Sequence, residues 1–153
     1  MLKRLLAGLV ASFALAGWTG HAEAQLFSST GPVIAIVDGE LLIGEATGHL
    51  GGWGTIALRS RLKAGLTCAG EFSYSEALGD AGQVKCSDGT RTAFRFRRLS
   101  PMSGYGTGGS GLSFTYGLSA EASVPYLDIP AGKELRRAGN VLEIVATLPI
   151  QPR

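Results

Sequence analysis

Six aromatic residues come in three pairs, each pair two positions apart: Phe72 and Tyr74, Phe94 and Phe96, Phe114 and Tyr116. A spacing of two puts both members of a pair on one face of an extended strand, because strand side chains alternate between faces. The residue between the members of each pair is polar (Ser73, Arg95 and Thr115), and glycine punctuates the runs. That pattern calls for a half-buried sheet with the rings inside and is incompatible with a helical stripe. The longest aliphatic run after residue 24, Val33 to Val37, is itself only a strand's length.

The first 24 residues are a different kind of segment. Lys3 and Arg4 precede an apolar stretch from Leu5 to about Trp18, and Ala22-Glu23-Ala24 supplies a small-x-small cleavage signal. The combination reads as an export signal peptide over residues 1–24, with a single β-rich domain over 25–153. Removing it leaves 129 residues, enough for one domain with a real core. Twelve basic and eleven acidic residues remain, a net charge of +1. So near-neutral a chain has no global attraction to nucleic acid or to acidic membranes, and no nucleic-acid partner is expected. Nothing beyond residue 24 is apolar enough to span a bilayer as a helix, so the expected location is the periplasm or the exterior.

Both cysteines fall in one predicted hairpin. Cys68, Gly70, Phe72 and Tyr74 share a parity, Val84 and Cys86 lie beyond the turn-rich Glu76–Gly82, and a 68–86 pairing centres on residue 77, in or beside that turn. In an oxidising compartment two cysteines so placed are expected to form a disulfide, stabilising the fold by about 3 kcal/mol in the chain-entropy model. Competing chemistries lack partners. Zinc needs four ligands and the mature chain offers Cys68, Cys86 and His49. A redox pair needs Cys-x-x-Cys, and a cysteine nucleophile needs a base with an orienting group. No G-x-S-x-G elbow occurs, and Asp88 sits in a Ser-Asp-Gly-Thr turn where Asp-Gly has a backbone role. No metal, cofactor or catalytic residue is assigned, and the chain is not expected to be an enzyme.

Hairpin logic repeats along the chain. Residues 40–48 pair with 54–62, residues 68–74 with 82–89, and residues 91–99 with 111–117 across a glycine-rich link. With strands at 32–37 and 140–148, the fold class is mainly β: an antiparallel meander of serial hairpins, about six to eight strands. Ser119 is positioned as the N-cap of a possible short helix near 119–127, which Pro125 and Pro130 keep short.

The run Gly65-Leu-Thr-Cys-Ala-Gly-Glu-Phe-Ser-Tyr74, Gly82-Gln-Val-Lys-Cys-Ser-Asp-Gly89 and Gly111-Leu-Ser-Phe-Thr-Tyr-Gly117 resembles a group of small exported bacterial two-cysteine proteins of undefined function. They carry a C-x-G-x-F half, a C-S-D-G half and a glycine-rich F-T-Y/F-G end, and the likeness covers roughly residues 40–117. It implies fold and location, and transfers no catalytic residue. The serial hairpins are also similar in spacing to MORN repeats, without the regular aromatic-glycine start of those units.

Candidate binding residues follow from parity. Arg91, Ala93, Arg95 and Arg97 share one face, opposite Thr92, Phe94, Phe96 and Arg98. On 54–62, Arg59 and Arg61 face water. Should the fold bring the two strands together, Arg59, Arg61, Arg95 and Arg97 form one basic patch for carboxylate or phosphate polymers; otherwise they are a solvated face that guards strand edges. Trp53 and Tyr105 lie in glycine-rich links, where an aromatic can stack on a sugar. The expectation is therefore a noncatalytic envelope or secreted domain, structural or protein-interacting, with an envelope protein as its partner. The alternative is a binding module for an anionic polymer or glycan.

Overall fold

A computed structural model describes residues 28–77 and 79–149; the signal-peptide reading of residues 1–24 lies outside them. Eight strands run in sequence order: β1 (Ser28–Val37), β2 (Glu40–His49), β3 (Trp53–Ser60), β4 (Thr67–Ser73), β5 (Asp80–Cys86), β6 (Arg91–Ser100), β7 (Ser103–Gly108) and β8 (Ser113–Tyr116). Each pairs antiparallel with the next, and β8 returns to pair with β1 (Val33 opposite Tyr116, Ile36 opposite Ser113), which closes the sheet into a barrel. The expected meander is present. Its closure is what the sequence did not foretell, and closure leaves none of these eight strands as a free edge.

The aromatic pairs fill the barrel. Phe72, Phe94, Phe96 and Phe114 are buried there with Val33, Leu42, Ile56 and Leu58, and Tyr74 and Tyr116 pack against them from one end. Ring centroids lie 5.0 Å apart for Phe94–Phe114 and 5.8 Å for Phe72–Phe96, both edge-on, an arrangement that ring quadrupoles favour. Eight strands enclose just enough room for side chains, and the rings occupy it.

Glycines inside the strands explain how so many rings fit. The sequence reading placed glycine in turns, and several are there, such as Gly89 with φ +90° after Asp88, whose carboxylate accepts a 2.9 Å bond from the Thr90 N–H. Others face inward at ring positions. Phe72 lies across Gly54, Phe94 across Gly82, Phe114 across Gly106 and Tyr116 across Gly104, and a Cβ on any of these glycines would collide with the ring. A ring laid over a neighbouring strand's glycine covers exposed backbone and lets the sheet curve. The glycine-rich link thereby becomes a strand. Residues 103–108, expected as a connection, form β7 between β6 and β8.

One stretch of the wall is buried on both sides. Val33 and Ala35 of β1 point inward, while Ile34 and Ile36 point outward with Leu41 of β2 into a second cluster containing Ala120, Leu127 and Leu142. This two-sided burial accounts for the unbroken Val33–Val37 run. The cover comes from α1 (Ala120–Ser123), a 3-10 turn Val124–Tyr126, and a hairpin of β9 (Lys133–Ala138) and β10 (Val141–Ala146). Ser119 caps α1 as expected, accepting from the Ala122 N–H at 3.2 Å. β9 was not anticipated; its half-buried Leu135 is the partner that lets β10 form a ladder. A two-stranded ribbon is marginal alone, and packing on β1 and β2 supplies what it lacks. Buried hydroxyls dock the helix on β8: Thr115 Oγ1 and Ser123 Oγ lie 2.7 Å apart, and Ser113 Oγ accepts from the Asp128 N–H at 2.8 Å.

Cys68 and Cys86 are direct cross-strand partners in β4 and β5 and form a disulfide inside one end of the barrel. At the same end, Glu40 pairs with Lys63 at 2.8 Å and accepts a bond from the Ser60 hydroxyl. Burial alone would raise the Glu40 pKa, but these donors outweigh it and hold the carboxyl below its ordinary range.

The outer face of β3–β6 carries Thr55, Arg59, Glu71, Gln83, Lys85, Arg91, Arg95 and Arg97, all exposed. A barrel that faces lipid shows an apolar band outside and polar groups inside. This barrel has the reverse arrangement. No helix among the described residues is long and apolar enough to cross a membrane.

Candidate functional site

The phenylalanines fix where the arginines go. With Phe94 and Phe96 pointing into the barrel, alternation sends Arg95 and Arg97 outward on β6. Register then sets Tyr105 of β7 directly across from Arg97, and Thr107 across from Arg95. These four side chains line a groove of about 900 Å³ whose other wall, from the β4–β5 turn, includes Glu76 and Asp80. Tyr105 lies in β7 and not in a loose link, and its ring is stacked on Tyr126 at 4.4 Å with a 25° interplanar angle. Held from behind in this way, the tyrosine presents a fixed surface beside Arg97.

At the head of the groove the strand parity brings Arg98 back toward the barrel mouth. Its Nε donates to Asp80 Oδ2 at 3.0 Å, and its guanidinium carbon sits 4.9 Å from the centre of the Tyr74 ring. Asp80 also accepts from the Ser75 N–H at 3.3 Å, so its carboxylate is already engaged. Among the described residues, Arg97 takes part in none of the ion pairs, which involve Lys63, Arg98 and Arg136. The groove therefore offers a guanidinium fork next to an anchored aromatic ring.

The single four-arginine patch does not form. Arg59 lies on β3, with β4 and β5 between it and β6, and it lines a different groove with Ala57, Ala69 and Arg137. Arg61 lies just past the end of β3, exposed in the loop before β4. The reason is the meander: strands adjacent in space are those adjacent in sequence, so β3 and β6 cannot touch. Trp53 opens β3, half exposed, and stacks on His49 of β2 at 4.1 Å, far around the wall from Tyr105. Only Arg95, Arg97 and Tyr105 of the six candidates share a surface.

Sequence reasoning missed Tyr74, Tyr116, Asp80 and Arg98 as a group. Arg98 falls on the phenylalanine parity, an inward-facing charge among rings, and that was the available signal. At the mouth, burial raises the pKa of both tyrosines, more for Tyr116, so both phenols stay protonated donors in neutral solution. Among the described residues no group of three or more His, Cys, Asp or Glu side chains is placed to hold a metal. No protein-family model, curated protein or solved structure matches the chain.

Proposed function

We propose that this chain is an exported, noncatalytic binding module that grips an anionic polymer, a phosphate- or carboxylate-bearing glycan, along the outer face of β6 and β7. The observation that supports this reading is the alignment of Arg95 and Arg97 on one face with Tyr105 opposite Arg97 in a single groove. Guanidinium groups at alternate strand positions meet successive charges of an extended polymer, and the backed tyrosine gives a sugar ring a surface to stack on. Periplasmic or extracellular placement fits the disulfide, which such compartments maintain.

The test is retention on heparin or polyphosphate resin as a function of salt. Retention should fall steeply as ionic strength rises, and the Arg95→Ala/Arg97→Ala double variant should flow through. Arg59→Ala/Arg61→Ala, on and just past β3 with β4 and β5 intervening, should be retained like the wild type. Indifference of the wild type to the resin would sink this reading in favour of a structural or protein-interacting role. For that second role the β9–β10 ribbon is the relevant surface, because among the described residues its strands pair only with each other.

A further inference from the structure

The basic face of β6 runs further than the groove that holds Arg97 and Tyr105. A second groove of about 420 Å³ adjoins the first: Arg95 and Thr107 line both, and Ala81, Ala93 and Gly108 give the second one a shallow floor of small residues. Past Ala93, on the same outward parity, stands Arg91, with Lys85 of β5 directly across from it. The cations therefore fall into two clusters, Lys85 with Arg91 and Arg95 with Arg97. Between Arg91 and Arg95, about 13 Å along the strand, β6 presents only Ala93 on this face.

The first cluster is an arrangement that folding alone disfavours. Side chains directly opposite on neighbouring strands leave the backbone about 5 Å apart, and like charges at that separation repel. Both residues are exposed, and among the described residues neither takes part in an ion pair. Nor do they protect a sheet edge, because β5 and β6 each have a neighbour on both sides in the closed barrel. An anion set between Lys85 and Arg91 removes the repulsion.

Building on the outer-groove reading above, we infer that the ligand is a linear glycan with one carboxylate per disaccharide, of the alternating uronate class, laid along β6. One carboxylate sits between Lys85 and Arg91, and the next is held by Arg95 and Arg97 through forked donors. The uncharged sugar between them lies over Ala93 in the trough, and a further ring stacks on Tyr105. Glu76, in the wall of the first groove, opposes a polymer that carries charge on every unit. The surface thus reads the spacing of charge along the polymer more than its total.

Isothermal titration of the folded protein with a hyaluronan hexasaccharide tests this, with hexagalacturonate, charged on every sugar, and the hyaluronan disaccharide, with a single carboxylate, as comparisons. The hyaluronan hexasaccharide should bind more tightly than hexagalacturonate despite its lower charge, and the disaccharide about tenfold or more weakly than the hexasaccharide. Lys85→Ala/Arg91→Ala should bring the hexasaccharide down to the level of the disaccharide. Ala93→Phe, at an exposed strand position that accepts a ring, should abolish hexasaccharide binding and still be retained on heparin resin through Arg95 and Arg97. Circular dichroism confirms that each variant is folded. A wild type retained on heparin that prefers hexagalacturonate, or wild-type hexasaccharide binding by either variant, overturns this inference and leaves the groove as an anion-binding surface. A wild type held by neither heparin nor the hexasaccharide overturns both.

Discussion

Removing the disulfide should cost this barrel about 3 kcal/mol, and the figure follows from where the two sulfurs lie. Cys68 and Cys86 are separated by 18 positions, and closing a loop of that length removes about 11 cal/mol/K of entropy from the unfolded chain, or about 3 kcal/mol at room temperature. The folded state gives little of this back, because the residues are already register partners on neighbouring strands. Replacing both with alanine adds a packing loss, since Cys68 is only 3 % exposed within the core. Urea unfolding followed by circular dichroism is the assay. With a slope of roughly 1.5 kcal/mol/M, the Cys68→Ala/Cys86→Ala midpoint should drop by about 2 M. The reduced wild type, which keeps its sulfur volumes, should fall between the two. A double variant that unfolds at the wild-type midpoint would refute the reasoning, because the β4–β5 hairpin would then be as constrained without the bond as with it.

Gly106→Ala should destabilise the fold by about 1–3 kcal/mol, the usual cost of overpacking, since its Cβ would run into the Phe114 ring; thermal melts compare it with Gly132→Ala, where the added methyl meets nothing and only the positive φ opposes it. Glu40 has a pKa held below its ordinary 4.5, so its contribution is full above that value and is lost as pH falls through the folded-state value. Glu40→Gln should therefore be less stable at neutral pH and show a shallower acid limb in a stability–pH profile. Tyr74 and Tyr116 have pKa values raised above 10.0, which gives stability that is complete below pH 10 and lost as the phenols ionise above it. Tyr116→Phe should move alkaline unfolding to higher pH, measured by ultraviolet difference absorbance together with circular dichroism.

The alternation of Phe72 with Tyr74, Phe94 with Phe96 and Phe114 with Tyr116 was enough to establish strands, their faces and a ring-filled interior, because strand periodicity is a local property of the backbone. The cysteine pairing was legible for the same reason: it belongs to one hairpin. Ser119 as a helix cap was likewise readable, since its bond reaches only three residues. The glycine-rich 103–108 segment was misread because glycine signals a turn in isolation; only with Phe114 and Tyr116 lying across Gly106 and Gly104 does it make sense as a strand.

The basic surface divided along the same line. Sequence placed Arg95 and Arg97 on one face, and nothing local could say that Arg59 and Arg61 would be held apart from them by two intervening strands. Nor could it place Arg98 over Tyr74 or bury Tyr116 Oη with no partner among the described residues, since these depend on residues from β4, β5, β6 and β8 meeting across a closed ring. The chain thus encodes its strands and its hairpin staple residue by residue. Closure of β8 onto β1 is a long-range pairing, and it decides which groups face each other across the mouth, whereas the β6–β7 register sets which share the outer groove.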